Sequence, residues 1–123
     1  MPRVDWFEIP ADMPERAVSF YKKAFGWKAK KMKGGMDYWL LTTTQPGKRE
    51  PGIEGAIGTR EMLKTTTNTI GVPSVDKAIK KITAAGGKVI APRMTVQGVG
   101  YLAYCADTEG NAFGLMEYDR RAK

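Results

Sequence analysis

The sequence predicts an α+β domain built from two copies of one strand–helix–strand–strand–strand module, with helices outside and a curved sheet inside. Two observations predict it. The same order of elements occurs twice, and in each copy the first strand ends at a proline, Pro10 or Pro73. Each following helix ends at a glycine, Gly26 or Gly86, ahead of a strand that carries lysine. An internal repeat of about 60 residues fixes the architecture.

The first copy spans about residues 1–61. Residues 4–9 have the aromatic and β-branched composition of a strand. A helix follows, with Asp12 as the predicted N-cap, Pro14 in the first turn and an apolar stripe at helical spacing, formed by Ala17, Phe20, Tyr21, Ala24 and Phe25. The remaining strands are predicted at residues 27–32, 36–43 and 53–59, with a hairpin turn at 33–35.

The second copy spans about residues 66–119, before a basic tail at 120–123. Its elements are a strand at 68–72, a helix capped by Ser74, a strand at 88–94 in which Pro92 marks an edge or a bulge, and a strand at 101–104. A turn at 107–111 feeds the closing strand. Gly110 and Asn111 tolerate positive φ, and the side chains of Asp107 and Thr108 can bind the turn backbone.

Composition places the chain among single-domain globular proteins. It has 123 residues, of which 42% are hydrophobic and 27% charged, enough for one core. Its apolar runs are much shorter than a membrane span, and the N-terminus lacks the build of a signal peptide, so we expect a cytoplasmic protein without a membrane partner. The net charge of +7 is scattered and forms no aromatic-interleaved basic stripe, which favours solubility over nucleic-acid binding.

The sequence contains no histidine and a single cysteine, Cys105. The lack of histidine excludes Ser-His-Asp and Cys-His nucleophiles, the usual imidazole general base, and metal sites that contain histidine. The remaining metal ligands are carboxylates and carbonyls, which suit Mg, Mn or Ca and suit Zn or Fe poorly. One cysteine also excludes an internal disulfide.

Three stretches carry a resemblance to a known family. They are IPADMPERAVSFYKKAFGW at 9–27, VPSVDKA at 72–78 with AAGGKV at 84–89, and DTEGNAFGLME at 107–117. With the repeat, they resemble the glyoxalase/bleomycin-resistance/extradiol-dioxygenase superfamily, the vicinal oxygen chelate proteins. The resemblance implies one domain over 1–123, two βαβββ modules that form a U-shaped mixed sheet around a pocket, and a homodimer.

Metal-dependent members of that family hold a divalent ion on four side chains, commonly His, Glu, His and Glu, from the first and last strands of each module. Matched to this sequence, the first position falls on Trp6 and the third on Thr67 or Thr69. The closing position falls on Glu117. The resemblance therefore retains one of the four ligands here.

The second position lies on the predicted strand at 53–59, where Glu54, Gly55 and Ile57 are the candidates. One or two carboxylates cannot form a well-built metal site, which needs several fixed ligands and an open position. We therefore expect no metal and no other cofactor. Glu117 is expected to face a pocket and to meet a polar ligand group or a water.

Aromatic residues supply the other candidates for a binding site. Trp6 puts a rigid ring at the first metal position, and strand alternation can turn further rings inward, among them Tyr38, Trp39, Tyr101 and Tyr104. A cavity lined by aromatic rings and one or two carboxylates suits a small planar or cationic molecule. The alternative is that these rings pack the core of the sheet.

Three functions remain open. The favoured hypothesis is a metal-free binding protein of the bleomycin-resistance type, whose partner is a small aromatic or antibiotic-like ligand. The second is a glyoxalase-like lyase, isomerase or dioxygenase that uses Glu54 and Glu117 on a weakly held Mg or Mn. The third is a non-catalytic interaction or regulatory subunit that uses the basic surface.

Overall fold

The structure, a computed structural model, describes residues 1–34, 37–61 and 63–123. Within them eight strands and two helices follow the order βαβββ twice, which confirms the predicted α+β class and its repeat. The elements are β1 (Arg3–Ala11), α1 (Pro14–Phe25), β2 (Lys28–Lys31), β3 (Trp39–Thr42), β4 (Glu54–Thr59), β5 (Thr67–Gly71), α2 (Val75–Ala84), β6 (Lys88–Val96), β7 (Gly100–Ala106) and β8 (Ala112–Tyr118). Two predicted positions lie outside the described residues. They are Gly35, in the predicted turn at 33–35, and Met36, at the start of the following predicted strand.

The chain forms two compact units. Residues 6–67 form unit A, in which the strands are ordered β2-β3-β4-β1, with β1 and β4 parallel and the other pairs antiparallel. Residues 1–5 and 68–123 form unit B, with the order β5-β8-β7-β6 and a parallel β5–β8 pair. Each unit therefore mixes parallel and antiparallel pairing.

The core of unit A lies between one face of its strands and α1. Leu41 and Ile57 are buried there, and Ala17, Val18 and Tyr21 of α1 pack against them. Strand alternation sends Phe7 and Ile9 to this helix-packed face. Gly55 is needed beneath Phe7, because a β-carbon at 55 would lie 2.5 Å from the ring of Phe7.

The core of unit B repeats this arrangement with α2. Its buried residues are Val75, Ala103, Cys105 and Leu115. Burial raises the pKa of the Cys105 thiol, which keeps it protonated as an apolar core group. Ser74 caps α2 as predicted, with its hydroxyl oxygen accepting from Lys77 N at 3.2 Å.

Two predicted boundaries in the first copy are wrong. The N-cap of α1 is Met13, without a side-chain hydrogen bond, and the Asp12 carboxylate instead lies 3.0 Å from Arg60 Nε. Pro14 does occupy the first turn. β1 continues through Pro10, since the fixed φ of proline is compatible with an extended backbone.

Pro92 marks an irregular edge strand, as predicted. The pairing of β6 with β7 shifts register between Val89 and Ala91 and again between Ala91 and Met94, and β6 is the last strand in the order of unit B.

Helices α1 and α2 contain 12 and 10 residues, and no helix within the described ranges has the length and apolar character needed to cross a bilayer.

The turn at 107–111 is built largely as predicted. Asp107 Oδ1 accepts from Glu109 N at 2.8 Å and from Asn111 N at 2.9 Å. Hydrogen bonds from Asn111 lead the effects that hold the pKa of Asp107 below its ordinary value. Only Gly110 uses a positive φ, of 83°, and the Thr108 hydroxyl contacts the Glu109 carboxylate rather than the backbone.

Candidate functional site

The face of unit A opposite α1 carries a connected polar group. Because Phe7 points toward α1, its strand neighbours Trp6 and Glu8 point the other way. The Trp6 indole N–H donates to Tyr38 Oη at 3.4 Å, and the Tyr38 hydroxyl donates to Glu8 Oε2 at 2.6 Å. Glu8 is only 3% exposed. We call these three residues the Trp6–Tyr38–Glu8 cluster.

Small residues on β4 make room for this cluster. The parallel pairing of β1 and β4 sets Glu8 beside Ala56 and Pro10 beside Gly58. A β-carbon on Gly58 would lie 3.4 Å from Tyr38 Cδ1 and 3.0 Å from Leu63 Cδ1. Glycine at this position thus lets the Tyr38 ring lie close to the strand, within reach of the Glu8 carboxylate.

The cluster combines three chemical capabilities in one place. Trp6 offers an aromatic face, Tyr38 is a hydroxyl that both donates and accepts, and Glu8 is a buried carboxylate. A buried carboxylate is costly unless hydrogen bonds satisfy it, so its position is specified by the surrounding groups. Such an arrangement can bind an aromatic molecule that carries a hydrogen-bond donor or a positive charge, and it can accept a proton.

Glu54 lies on the same face, opposite Trp6 in the strand register, but its carboxylate is already engaged. It accepts from Thr43 N at 2.5 Å, Thr44 Oγ1 at 2.7 Å and Thr43 Oγ1 at 3.3 Å. Burial tends to raise the pKa of Glu54, and the hydrogen bonds from Thr43 and Thr44 outweigh it, so the pKa lies below its ordinary value of 4.5. Glu54 therefore fixes the segment that follows β3.

Glu54→Gln is expected to give a pH-dependent loss of stability. A carboxyl whose pKa is lowered by folding stabilises the folded state above its unfolded pKa, and this contribution disappears as the pH falls through the folded pKa. Wild type should be the more stable at neutral pH, with a difference that shrinks below pH 4.5. Urea unfolding of both proteins across this range measures it, and a difference independent of pH would contradict the assignment.

Three predicted site residues of the second copy occupy a different environment. Thr67 is buried, and its hydroxyl donates to the Thr65 carbonyl at 2.8 Å. Thr69 and Tyr104 flank Gly114, where a β-carbon would lie 3.0 Å from Thr69 Oγ1 and 3.4 Å from Tyr104 Cε1. Thr69 Oγ1 is buried without a hydrogen-bond partner. The structure thus brings Thr69 and Tyr104 together on the face of unit B that points away from α2.

Trp39, Tyr101 and Glu117 lie on the helix-packed faces. Trp39 packs into the α1 core, and Tyr101 packs against the α2 core with the Arg93 guanidinium 4.1 Å from its ring centre. Glu117 Oε1 accepts from Val75 N, in the first turn of α2, at 2.9 Å. The expectation that Glu117 faces a pocket is therefore corrected. It pairs with Tyr101 in the register, so it shares the helix-packed face.

Glu117→Ala is expected to lower the free energy of unfolding by about 1 kcal/mol, because the first turn of α2 loses an acceptor and a favourable charge. Thermal or urea unfolding measures the loss. Ligand binding by the folded variant should be unchanged, since the residue contacts the helix. A variant of wild-type stability that fails to bind would restore Glu117 to the site.

The residues at the implied metal positions do not fit a divalent ion. Trp6 presents an N–H donor, which has no lone pair for a metal. The carboxylates of Glu54 and Glu117 are taken by backbone and hydroxyl donors. Across residues 1–34, 37–61 and 63–123, no three Asp, Glu or Cys side chains lie close enough together to form a metal centre.

Glu8 is the site residue that sequence analysis missed. The signal was present, because residues two apart in a strand share a face, and Trp6 was already assigned to the pocket. An acidic residue between the apolar Phe7 and Ile9 is also unusual enough to single out.

The model of the Glyoxalase/Bleomycin resistance protein/Dioxygenase superfamily matches residues 3–115. Among relatives, "Putative glyoxylase CFP32" of Mycobacterium bovis is 25% identical over 119 residues, covering 94% of this chain and 46% of that protein. A "Glyoxylase-like domain-containing protein" of Didymella fabae is 30% identical and covers 92% of this chain and 91% of its own. The chain thus spans about half the length of the mycobacterial relative and nearly all of the fungal one.

Solved structures show the same fold. A methylmalonyl-CoA epimerase from Mycobacterium tuberculosis aligns with a TM-score of 0.66 at 14% identity, over 94% of this chain and 87% of that one. A superfamily member from Vibrio splendidus aligns with a TM-score of 0.65 at 12% identity, over 97% and 100%. Together with the βαβββ repeat and the match over residues 3–115, this shows that the chain belongs to the glyoxalase/bleomycin resistance protein/dioxygenase superfamily.

Proposed function

We propose that this chain binds a small aromatic or antibiotic-like molecule without a metal ion, on the face of unit A that carries the Trp6–Tyr38–Glu8 cluster. The observation that carries the proposal is the buried Glu8 carboxylate, held at 2.6 Å by Tyr38. The residues at the family's metal positions support it, because they are donors or engaged carboxylates.

The chemistry of the cluster narrows the ligand. An aromatic ring can stack on Trp6, which is half-buried and keeps part of its surface accessible. A donor group on the ligand, such as an amine, amide or hydroxyl, matches the acceptors of Glu8 and Tyr38. A ligand that carries only acceptors and negative charge would be repelled by Glu8. We therefore expect planar molecules with N–H or O–H groups, neutral or cationic, to be preferred.

A thermal-shift screen in the presence of EDTA tests the proposal. The compounds should include aromatic amines, aromatic carboxylates and antibiotics that contain aromatic rings. Stabilisation follows RT ln(1 + [L]/Kd), so a ligand at 100 times its Kd should add about 2.7 kcal/mol. Stabilisation by donor-bearing aromatics and none by aromatic carboxylates is the expected pattern. A screen without any stabilising compound, or one in which stabilisation appears only after Mg or Mn is added, would contradict the proposal.

A proton-transfer enzyme is the second candidate function, favoured by the same short contact. A hydroxyl 2.6 Å from a buried carboxylate forms a pair that can take up and return a proton. Relatives named as glyoxylases and a structural neighbour named methylmalonyl-CoA epimerase make this chemistry relevant to the superfamily. On this hypothesis Glu8 is the base and Tyr38 the acid, in place of the engaged carboxylates of Glu54 and Glu117.

Solvent deuterium exchange separates the two candidates. A ligand found in the screen that has an acidic C–H bond is incubated with protein in D2O, and its C–H signal is followed by NMR. Exchange catalysed by wild type and lost in Glu8→Gln supports the enzyme. If the ligand binds but its C–H bond exchanges no faster than without protein, the result supports the binding function and contradicts the enzyme.

A further inference from the structure

A hollow in unit B, apart from the Trp6–Tyr38–Glu8 cluster, has a carboxylate in its wall. Its volume is about 330 Å³. The lining comes from the N-terminal Met1 and Pro2, from Asp5, from residues 71–73 after β5, and from Tyr118 at the end of β8. Most of this surface is apolar, which makes the single carboxylate its chief polar feature.

The Asp5 carboxylate has unused hydrogen-bonding capacity. Its Oδ1 atom is buried and has no hydrogen-bond partner. The chain carries 20 lysine and arginine residues, yet none of the ion pairs found in the described part of the chain involves Asp5. A buried acceptor left without a donor costs about 1–3 kcal/mol, and more for a charged group. A positively charged group in the hollow would offset this cost through its attraction to the carboxylate.

The backbone is shaped to hold this carboxylate in the wall. Gly71 lies directly against Asp5 Oδ2, and a β-carbon at 71 would collide with that oxygen. Glycine at this position therefore gives the carboxylate its space. The neighbouring Val72 N–H donates to the Met116 carbonyl at 2.9 Å and does not compete for Asp5.

Tyr118 supplies an aromatic wall. Tyr118 is 58% exposed and lines the hollow, so a ligand there can contact its ring. Burial of part of the group, and then the negative charge of Asp5, raise the pKa of the Tyr118 phenol. The phenol thus stays neutral at physiological pH, and Asp5 is the acidic side chain of the hollow. Aromatic faces attract ammonium ions, most strongly where water is excluded.

We propose that this hollow binds a small organic ammonium ion, with the Asp5 carboxylate as its counter-ion, the Tyr118 ring against it and its apolar part against Pro2, Val72 and Pro73. A charged donor fits better than a neutral one, because Asp5 lacks a counter-ion in this highly basic chain. The inference is independent of the Trp6–Tyr38–Glu8 cluster, since none of the cluster residues lines the hollow.

The test is an NMR titration with benzylammonium, with benzyl alcohol as the neutral probe of the same shape. In wild type, benzylammonium should shift the amide signals of Gly71 and Val72, and benzyl alcohol should not. Asp5→Asn keeps the shape and removes the charge, so the affinity for benzylammonium should fall at least about tenfold, the loss expected of one charge-assisted hydrogen bond. Tyr118→Leu should weaken binding without abolishing it.

Glu61→Gln is the matched control, because Glu61 is an exposed carboxylate outside the hollow. The affinity of this variant for benzylammonium should equal that of wild type. Circular dichroism and thermal unfolding confirm that each variant is folded. Equal affinity in wild type and Asp5→Asn would overturn the proposal. So would equal binding of benzyl alcohol, or the lack of any shift at about 10 mM benzylammonium, where a millimolar site would be well populated.

Discussion

Gly100→Ala is expected to lower the free energy of unfolding by about 3 kcal/mol, the largest stability effect we predict for a single methyl group. Gly100 opens β7 with φ of 155°, a conformation that residues with a β-carbon rarely adopt. A β-carbon there would also overlap the Glu117 carbonyl, which belongs to the paired strand β8. The unfavourable φ and the overlap with the Glu117 carbonyl both involve the backbone, so a side-chain rotation cannot relieve either of them.

Gly98→Ala is the control for this substitution. Gly98 lies in the same turn with φ of 75°, but a β-carbon there meets no atom within 4 Å. Its cost is therefore the backbone strain alone, about 1–2 kcal/mol. Urea unfolding of the two variants should rank Gly100→Ala clearly below Gly98→Ala. Equal losses would mean that the Glu117 carbonyl imposes no constraint on position 100.

Glu8→Gln is expected to weaken ligand binding by at least about tenfold, because a charge-assisted hydrogen bond contributes about 1.5–3 kcal/mol. The substitution keeps the size of the side chain and removes its charge. Tyr38→Phe should weaken binding as well, since it deletes the hydroxyl that holds Glu8 at 2.6 Å. It should also lower stability by about 1–3 kcal/mol, because a buried carboxylate loses a donor.

Tyr21→Phe is the matched control for Tyr38→Phe. Tyr21 lies on α1, where its ring stacks on Trp27 with centres 5.0 Å apart, and no hydrogen bond of its hydroxyl occurs among the described residues. Its removal should change neither stability nor affinity appreciably. Affinity is measured by calorimetry with a compound from the thermal-shift screen. Wild-type affinity in both Glu8→Gln and Tyr38→Phe would move the binding site away from this cluster.

The repeat was predictable because its signals are local. The two helices, the Ser74 cap and the glycines after each helix depend on a few neighbouring residues, and they formed as expected. The predicted apolar stripe of α1 is only partly right, because Ala17 and Tyr21 pack in the core while Phe20, Ala24 and Phe25 are exposed. Asp12 shows the limit of such signals. Its position favours an N-cap, yet Arg60 lies within 3.0 Å, and the ion pair is a long-range contact that spacing does not reveal.

The candidate site was less predictable because strand register decides which face a residue occupies. A shift by one residue moves a side chain to the opposite face. Glu117, which the sequence pattern places in a pocket, therefore lies against α2. Thr69 and Tyr104 lie on the opposite face, on either side of Gly114. Trp6 and Tyr38 were predicted as site residues and do contact each other. The further hydrogen bond from Tyr38 to Glu8 required knowledge of which strands pair.

The Trp6 indole N–H reports directly on whether a ligand binds the Trp6–Tyr38–Glu8 cluster without a metal. The chain has three tryptophans, so its NMR spectrum contains three indole signals, and a Trp6→Phe spectrum identifies the one from Trp6. A compound from the screen is titrated into wild type in EDTA. The Trp6 signal should shift in proportion to binding while the Trp27 and Trp39 signals stay nearly fixed. Binding that leaves the Trp6 signal unmoved, or that requires added Mg or Mn, would contradict metal-free binding at this cluster.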